Sequence, residues 1–179
     1  MALARCASTE DNELSTPVIV DADISWLLAL PKPISDQNWR DRLVPPGPTD
    51  LVGRGRFDLD DLPAGSPLGG TLHLYSRQNL DPSVVGDWSV GLVYTDYAGN
   101  SYRVLRCNGP HPTDHVNRIE GDVIVRQPHI HRLTERYQGL ARGKPDGYAE
   151  VATEYSTLDE AVGVIVEAVN LTPSGLLFL

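Results

Sequence analysis

The strongest constraint on the fold is an alternation of apolar and polar residues that recurs between residues 71 and 107. In residues 71–75, leucines alternate with threonine, histidine and tyrosine. Further on, Trp88, Val90, Leu92 and Tyr94 alternate with smaller or polar residues. A period of two predicts β-strands with one buried face. Because turn-forming residues interrupt the second run near position 99, it is predicted to form a β-hairpin over residues 88–107.

Helical patterns stand on either side of these strands. An apolar run at 24–30 predicts a short helix, with Asp21 or Asp23 as its N-cap. Thr157 and Glu160 have the spacing of a capping box and precede an apolar stripe of helical period. The sequence therefore predicts an α+β fold, in which an antiparallel sheet of about five strands packs with an N-terminal and a C-terminal helix.

The chain of 179 residues has the length of a single domain, residues 1–179. Residues 1–15 are polar and predict a flexible tail. Residues 34–54 are rich in proline and glycine and predict a long loop. Residues 55–179 are predicted to contain the sheet and the C-terminal helix, beginning with a short strand at 55–59.

The positions of the cysteines and the hydropathy of the chain predict the cellular compartment of the protein. Cys6 lies in a polar stretch and Cys107 in an apolar strand. This placement does not suggest a disulfide framework and favours a reducing environment. The first fourteen residues lack the apolar run of a signal peptide, and no segment has the length of a membrane span. These features predict a cytoplasmic protein that does not bind membranes.

Charge is distributed unevenly along the chain, whose formal net charge is -9. Residues 102–148 nevertheless contain eight Lys and Arg side chains against five Asp and Glu. A basic patch on an acidic protein is compatible with RNA or another anionic ligand bound at one place. Almost all of the basic residues are arginines, which suit forked recognition of phosphate or carboxylate.

The same segment holds four of the five histidines: His111, His115, His129 and His131. If residues 129–133 form a strand, His129 and His131 emerge on one face, because strand side chains alternate. If the strand that ends at Cys107 pairs with this strand, side chains of both strands would lie on the same face. We expect Arg106 and Tyr102 to lie beside the two histidines there.

This combination of side chains suits general acid–base cleavage of a phosphodiester without a metal. Histidine gives and takes protons near neutral pH, and arginine stabilises the developing negative charge. The predicted catalytic residues are His129, His131, His111 and Arg106. The predicted substrate-binding residues are Arg132, Tyr102, Arg103, Tyr137 and Lys144. If Arg132 belongs to the strand, it points away from His131.

A metal site is the second chemistry that fits these residues. The first chemistry needs no cofactor, whereas this one would use zinc. His129 and His131 with His111 or His115 would supply three nitrogens and leave a coordination position open, as catalytic zinc requires. Neither histidine spacing matches a strong zinc signature, so both chemistries stay open.

The segments around 102–111 and 128–131, followed by the apolar C-terminal helix, resemble a group of small bacterial and phage proteins. More distantly, they are similar to the TumE-type toxins of toxin–antitoxin pairs. The resemblance covers about residues 87–170. It implies a compact α+β toxin module acting on RNA, and it singles out Arg106, His111, His129 and His131. Cys107 stands where that pattern has an aspartate.

Three hypotheses follow. The first is a toxin-like, metal-independent ribonuclease centred on His129 and His131, with a cognate antitoxin as its protein partner. The second is a non-enzymatic protein that binds a protein partner, such as an antitoxin, an immunity protein or a phage accessory protein. The third is a histidine-ligated metal protein. Metal analysis separates the third from the others, and growth arrest on expression separates the first from the second.

Overall fold

A computed structural model describes residues 19–43, 52–140 and 144–173 of the chain. Its centre is an antiparallel sheet of six strands in the order β2-β3-β4-β5-β8-β9. The predicted α+β fold is confirmed. The strands of this sheet are β2 (Val52–Asp58), β3 (Thr71–Asn79), β4 (Trp88–Thr95), β5 (Ser101–Asn108), β8 (His129–Arg132) and β9 (Tyr148–Val151).

The alternation in the sequence gives this sheet two different faces. On one face Leu72, Leu74, Val90 and Leu92 are fully or almost fully buried and form the core with the two longer helices. The predicted hairpin over residues 88–107 is confirmed as β4 and β5, whose antiparallel register pairs Thr95 with Ser101. The opposite face is more polar, and it is where the histidines lie.

The two longer helices cover the apolar face. Helix α3 (Leu158–Ala168) packs on β4 and β5, and its N-terminus has the predicted capping box. There the Thr157 hydroxyl accepts from the Glu160 amide, and the Glu160 carboxylate accepts from the Thr157 amide. Helix α1 (Asp21–Ala29) packs against β5 and buries Ile24 and Leu27.

The predicted N-cap of α1 is wrong. Val20 occupies that position without a side-chain hydrogen bond, and Asp21 lies in the first turn. The carboxylate of Asp21 instead accepts a hydrogen bond from the amide of Glu135, at the start of the short helix α2 (Glu135–Gln138). The Glu135 carboxylate accepts from the Asp21 amide in return. Asp21 therefore does not cap its own helix. It connects α1 to α2, which is distant in sequence.

Lys32 joins the ends of the two longer helices. It begins β1 (Lys32–Ile34), which pairs in parallel with β10 (Leu171–Pro173). Its ammonium is 2.7 Å from the carbonyl oxygens of Leu27, Leu30 and Val169, which lie at the C-terminal ends of α1 and α3. Because those carbonyls lack helical partners, the buried ammonium satisfies them. Burial lowers the Lys32 pKa to about 8.

A small hairpin stands between β5 and β8. Its strands are β6 (His115–Val116) and β7 (Val123–Ile124). Glu120, in its turn, accepts a hydrogen bond of 2.6 Å from the Tyr137 hydroxyl and forms an ion pair with Arg136. The hairpin is thereby attached to α2.

Several predicted boundaries change. The first strand of the sheet is Val52–Asp58 rather than 55–59. The predicted loop at 34–54 begins within β1 and ends within β2, and residues 44–51 lie outside the described part. The predicted tail at 1–15 also lies outside the described residues. In the described ranges, none of the helices has the length and apolar character needed to cross a membrane.

Candidate functional site

The candidate site begins with the register between β5 and β8. Arg106 pairs with His131, and Asn108 pairs with His129. Residues directly opposite each other in neighbouring strands project to the same face of a sheet. The four side chains therefore form a square on the polar face, with the two imidazole centroids 4.9 Å apart. The expectation that Arg106 lies beside the histidine pair is confirmed.

The other two histidines reach this square from the segment after β5. The His111 ring lies 5.0 Å from the His129 ring, measured between centroids. The His115 ring lies 4.5 Å from that of His131 and 5.6 Å from that of His129. All four histidines of the segment thus meet in one cluster. The fifth, His73, lies apart on β3.

Hydrogen bonds fix the tautomers of His129 and His131. Nδ1 of His129 is 2.7 Å from the backbone oxygen of Gln127, and Nδ1 of His131 is 2.8 Å from that of Asp146. A carbonyl oxygen only accepts, so each Nδ1 carries the hydrogen. In the neutral ring Nε2 is then left with a lone pair.

His115 is fixed through its other nitrogen. The Asn117 carboxamide donates to the Ala149 oxygen at 2.7 Å and accepts from the Ala149 amide at 2.8 Å, which identifies its oxygen and its nitrogen. That oxygen is 3.0 Å from Nε2 of His115. The hydrogen therefore resides on Nε2, and Nδ1 of His115 keeps the lone pair.

Three of the histidines have the arrangement of metal ligands. One ring nitrogen from each of His115, His129 and His131 lies within 4.8 Å of the other two. Each ring also has one nitrogen that donates a hydrogen bond to an oxygen. Metal-binding histidines in proteins have this same outer hydrogen bond, which orients the ring and increases its basicity.

Burial keeps the central pair of histidines neutral. His129 is 2% exposed and His131 is 4% exposed. Burial, together with nearby histidines and Arg106, lowers the pKa of His129 to about 4 and that of His131 to about 2. Burial also lowers the His111 pKa. At neutral pH both rings are therefore neutral, the state that binds a metal ion and not the state that acts as a general acid. On His129 the Asn108 carboxamide nitrogen lies 3.3 Å from Nε2.

Asp146 connects the histidines to Arg106. Its backbone oxygen holds His131, and its carboxylate forms an ion pair with Arg106 at 3.0 Å. The two side chains are only 5% and 16% exposed, respectively. One loop residue therefore orients both a histidine and the arginine next to it.

A cavity of about 560 Å³ opens over the square. Four cationic and two acidic side chains line it, together with histidines, Tyr75, Trp88 and Asn108. The charged ones are Arg77, Arg103, Arg106, Lys144, Asp87 and Asp114. A smaller cavity of about 300 Å³ shares Asp114, His115 and Lys144 with it. The wall around the histidines is thus more positive than the protein as a whole.

A β-bulge brings Arg103 to the cavity. Leu92 pairs with Leu105 and Val93 pairs with Arg103, so Val104 is the extra residue in β5. In a regular strand residues 103 and 106 point to opposite faces, but the bulge places both on the polar face. The prediction for Tyr102 is wrong for the same reason. Its ring stacks on Tyr94 on the core side, with centroids 6.1 Å apart.

Among the other residues predicted to bind substrate, Lys144 lines both cavities and Tyr137 lines the smaller one. Arg132 lines neither cavity and forms an ion pair of 3.6 Å with Glu150. It alternates with His131 along β8 and so projects to the other face. Its assignment to substrate binding is corrected, because strand alternation separates it from the histidines.

Four residues of the site were not selected from the sequence: Tyr75, Asn108, Asn117 and Asp146. Asn108 ends β5 directly opposite His129. Because strand side chains alternate, Asn108 lies on the same face as Arg106, two residues earlier. This alternation could have identified Asn108 from the sequence. Asn117 and Asp146 act through contacts with distant strands that no local pattern reveals.

Comparison with known proteins gives no match. The chain fits no protein-family model, and no curated protein or solved structure is significantly similar to it. The resemblance to TumE-type toxins stays a prediction. Function therefore has to be inferred from the side chains of the site.

Proposed function

We propose that His115, His129 and His131 bind one divalent transition-metal ion, with zinc as the first candidate, and that the protein is a metal-dependent hydrolase. The observation that carries this proposal is the convergence of three ring nitrogens within 4.8 Å, on rings that each donate one hydrogen bond to an oxygen. The hydrogen bonds assign Nδ1 of His115 and Nε2 of His129 and His131 as the ligands.

The ligand set suits catalysis better than a structural metal. Structural zinc is almost always held by four protein ligands, whereas catalytic zinc has three and a fourth position open to water or substrate. His115 and His131 line the large cavity, so an open position would face it. A metal ion held by these three histidines would supply a Lewis acid that polarises a substrate oxygen and lowers the pKa of bound water toward 7.

The burial of the histidines supports metal binding over direct acid–base catalysis. A pKa of about 4 leaves the His129 ring neutral at pH 7, which suits a ligand and not a general acid. The metal-independent ribonuclease is therefore our second proposal. It is supported by the position of Arg106 opposite His131, within reach of a phosphate that approaches the histidines. RNA remains a proposed substrate under either mechanism.

Metal titration tests the first proposal, and the hydrogen bonds dictate the variants. Asn reproduces the Nδ1–H donor of histidine, and Gln reproduces the Nε2–H donor. His129→Asn, His131→Asn and His115→Gln therefore keep the orienting bonds and remove only the proposed ligand nitrogens. His73→Asn is the matched control, since His73 lies outside the cluster.

Protein stripped of metal by a chelator is titrated with Co²⁺, followed by its d–d absorption, and with Zn²⁺, followed by elemental analysis. Wild type and His73→Asn should bind one equivalent with the intense absorption of a tetrahedral cobalt site. Each ligand variant should bind at least 100-fold more weakly. Wild-type protein that binds no metal, or ligand variants that bind like wild type, would contradict the proposal.

A further inference from the structure

We propose that the cavity holds the phosphate group of an ester substrate, bound by Arg103, Arg106 and Lys144 beside the histidine cluster. This deepens the proposed function and rests on it for the reaction, although the anion site itself consists of different residues. The proposal begins from two of the buried polar atoms in the cavity wall that lack a hydrogen-bond partner.

The first is Nε of Arg106. Among the described residues it has no hydrogen-bond partner, although it is shielded from solvent. The ion pair with Asp146 engages Nη2, the terminal nitrogen on the same edge of the guanidinium, and leaves the Nε–H without a partner. Arginine binds phosphate by presenting adjacent N–H groups as a fork. An oxyanion in the cavity would accept the hydrogen bond that Nε has available.

The second is Oδ1 of Asn108, a buried acceptor that lacks a partner in the described part of the chain. Its carboxamide nitrogen lies 3.3 Å from Nε2 of His129, so the unpaired oxygen belongs to a side chain already in contact with the histidines. Asn108 also lines the cavity. A water molecule there would donate to Oδ1. The cavity wall therefore contains both an unpaired donor, Nε of Arg106, and an unpaired acceptor, Oδ1 of Asn108.

The charges favour phosphate over a monoanion. Arg77 is neutralised by Asp87, which it contacts at 2.7 and 3.2 Å. Arg103 and Lys144, in contrast, have no salt bridge to any described carboxylate. Arg106 has Asp146 as its partner and Asp114 is a further acidic residue of the wall, so Arg103 and Lys144 supply the excess positive charge of the cavity, in a protein whose net charge is -9. A group with two negative charges matches two unpaired cations better than one carboxylate does.

Close packing in the wall brings Tyr75 toward Arg106. Gly91 lies between them in register, pairing with Tyr75 on one side and Arg106 on the other. A Cβ at position 91 would overlap the Leu105 backbone oxygen and would lie 3.0 Å from the Tyr75 ring and 3.1 Å from the Arg106 Cα. Glycine therefore permits the close approach of β5 and also leaves room for the tyrosine ring. The volume of about 560 Å³ exceeds that of phosphate alone and suits an ester of about nucleotide size.

Inorganic phosphate is the probe, titrated by calorimetry into metal-free and zinc-loaded protein, with acetate as the monoanion comparison. The variants are Arg103→Gln and the pair Arg106→Gln/Asp146→Asn, which avoids a buried carboxylate without its partner. Arg132→Gln is the matched control, because it removes the same charge from β8 outside the cavity. Circular dichroism checks that each variant is folded.

We expect saturable phosphate binding to metal-free wild type and to Arg132→Gln, at least tenfold weaker binding to both cavity variants, and no comparable binding of acetate. Absence of saturable binding, equal binding of acetate, or cavity variants that bind like wild type would overturn the subsite. If phosphate binds in this pattern but zinc does not, the subsite stands and the metal centre fails. If zinc binds and phosphate binds neither form, the metal centre stands and the subsite fails.

Discussion

Asn117 holds His115 through its side-chain oxygen, 3.0 Å from Nε2, while the same carboxamide makes two hydrogen bonds to the backbone of Ala149. Asn117 is 3% exposed, so these bonds are shielded from water. His115 belongs to the small β6–β7 hairpin, whereas the other two histidines of the proposed centre belong to β8. Asn117 is therefore the link that fixes His115 relative to the sheet.

Replacing Asn117 with alanine should lower the affinity for metal without removing a ligand. The loss of an outer-shell partner typically costs about 10–100-fold in metal affinity. We expect a decrease of that size in the affinity of Asn117→Ala for Zn²⁺, measured by competition with a chromogenic chelator. The control is Asn100→Ala, in an exposed turn far from the site. Affinity of Asn117→Ala within twofold of wild type would show that His115 is not a ligand oriented in this way.

Metal-free protein should lose stability between pH 7.5 and 5.5. The pKa values of His129 and His131 are lowered by burial to about 4 and about 2, whereas an unfolded histidine has its ordinary value near 6.5. Below pH 6.5 the unfolded chain binds protons that the folded chain does not, so acid favours unfolding. The free energy of unfolding should fall by about 1.4 kcal/mol for each histidine at pH 5.5.

Urea denaturation at the two pH values measures this loss, with a chelator present. Most carboxylates stay ionised in both states over this range, so the histidines dominate the change. His131→Asn, which keeps the bond to Asp146, should remove the share of His131, about 1.4 kcal/mol. An unchanged slope in that variant would mean that His131 is protonated in the folded protein, contrary to its burial.

Local patterns predicted much of this fold. The β4–β5 hairpin and the capping box of α3 depend on residues close in sequence, where alternation and capping chemistry decide the structure. The shared face of His129 and His131 also follows from strand geometry alone. In these features the repeat of apolar residues in the sequence matches the repeat of the strand or helix that forms, so the pattern predicts the structure.

The remaining features depend on contacts between distant residues. The extra residue at Val104 inverts the alternation of β5 and exchanges Tyr102 for Arg103 on the polar face. No composition at 102–106 signals a bulge, because its location is set by pairing with β4. Asp21 likewise caps α2, more than a hundred residues away, because the two helices meet only in the folded chain.

Lys32→Met should destabilise the fold. Methionine has a similar unbranched shape but donates no hydrogen bonds, so the carbonyls of Leu27, Leu30 and Val169 would lose their shared partner. We expect a loss of roughly 2–4 kcal/mol in the free energy of unfolding, measured by urea denaturation at pH 7. Lys144→Met, at an exposed position, should change it by less than about 0.5 kcal/mol. Equal effects of the two substitutions would show that the ammonium contributes no more than an exposed lysine.

Cleavage of RNA and of a chromogenic phosphodiester distinguishes the proposed reactions. The metal-dependent mechanism predicts that wild type cleaves after Zn²⁺ or Mn²⁺ is added, and that chelator abolishes the activity. His131→Asn should be at least 100-fold slower, because it lacks one ligand nitrogen but keeps its bond to Asp146. His73→Asn should cleave at the wild-type rate, since its side chain lies outside the cavity.

The chelator also separates the alternatives, because only the metal-free mechanism survives it. Cleavage that persists in chelator and is lost in His131→Asn would favour the metal-independent ribonuclease, in which His131 acts directly on the phosphodiester. Induced expression in bacteria adds the cellular readout: growth arrest with RNA loss in wild type but not in His131→Asn would connect the reaction to toxicity. Unhindered growth and intact RNA in both would favour a protein that binds a partner, with its histidines serving the fold.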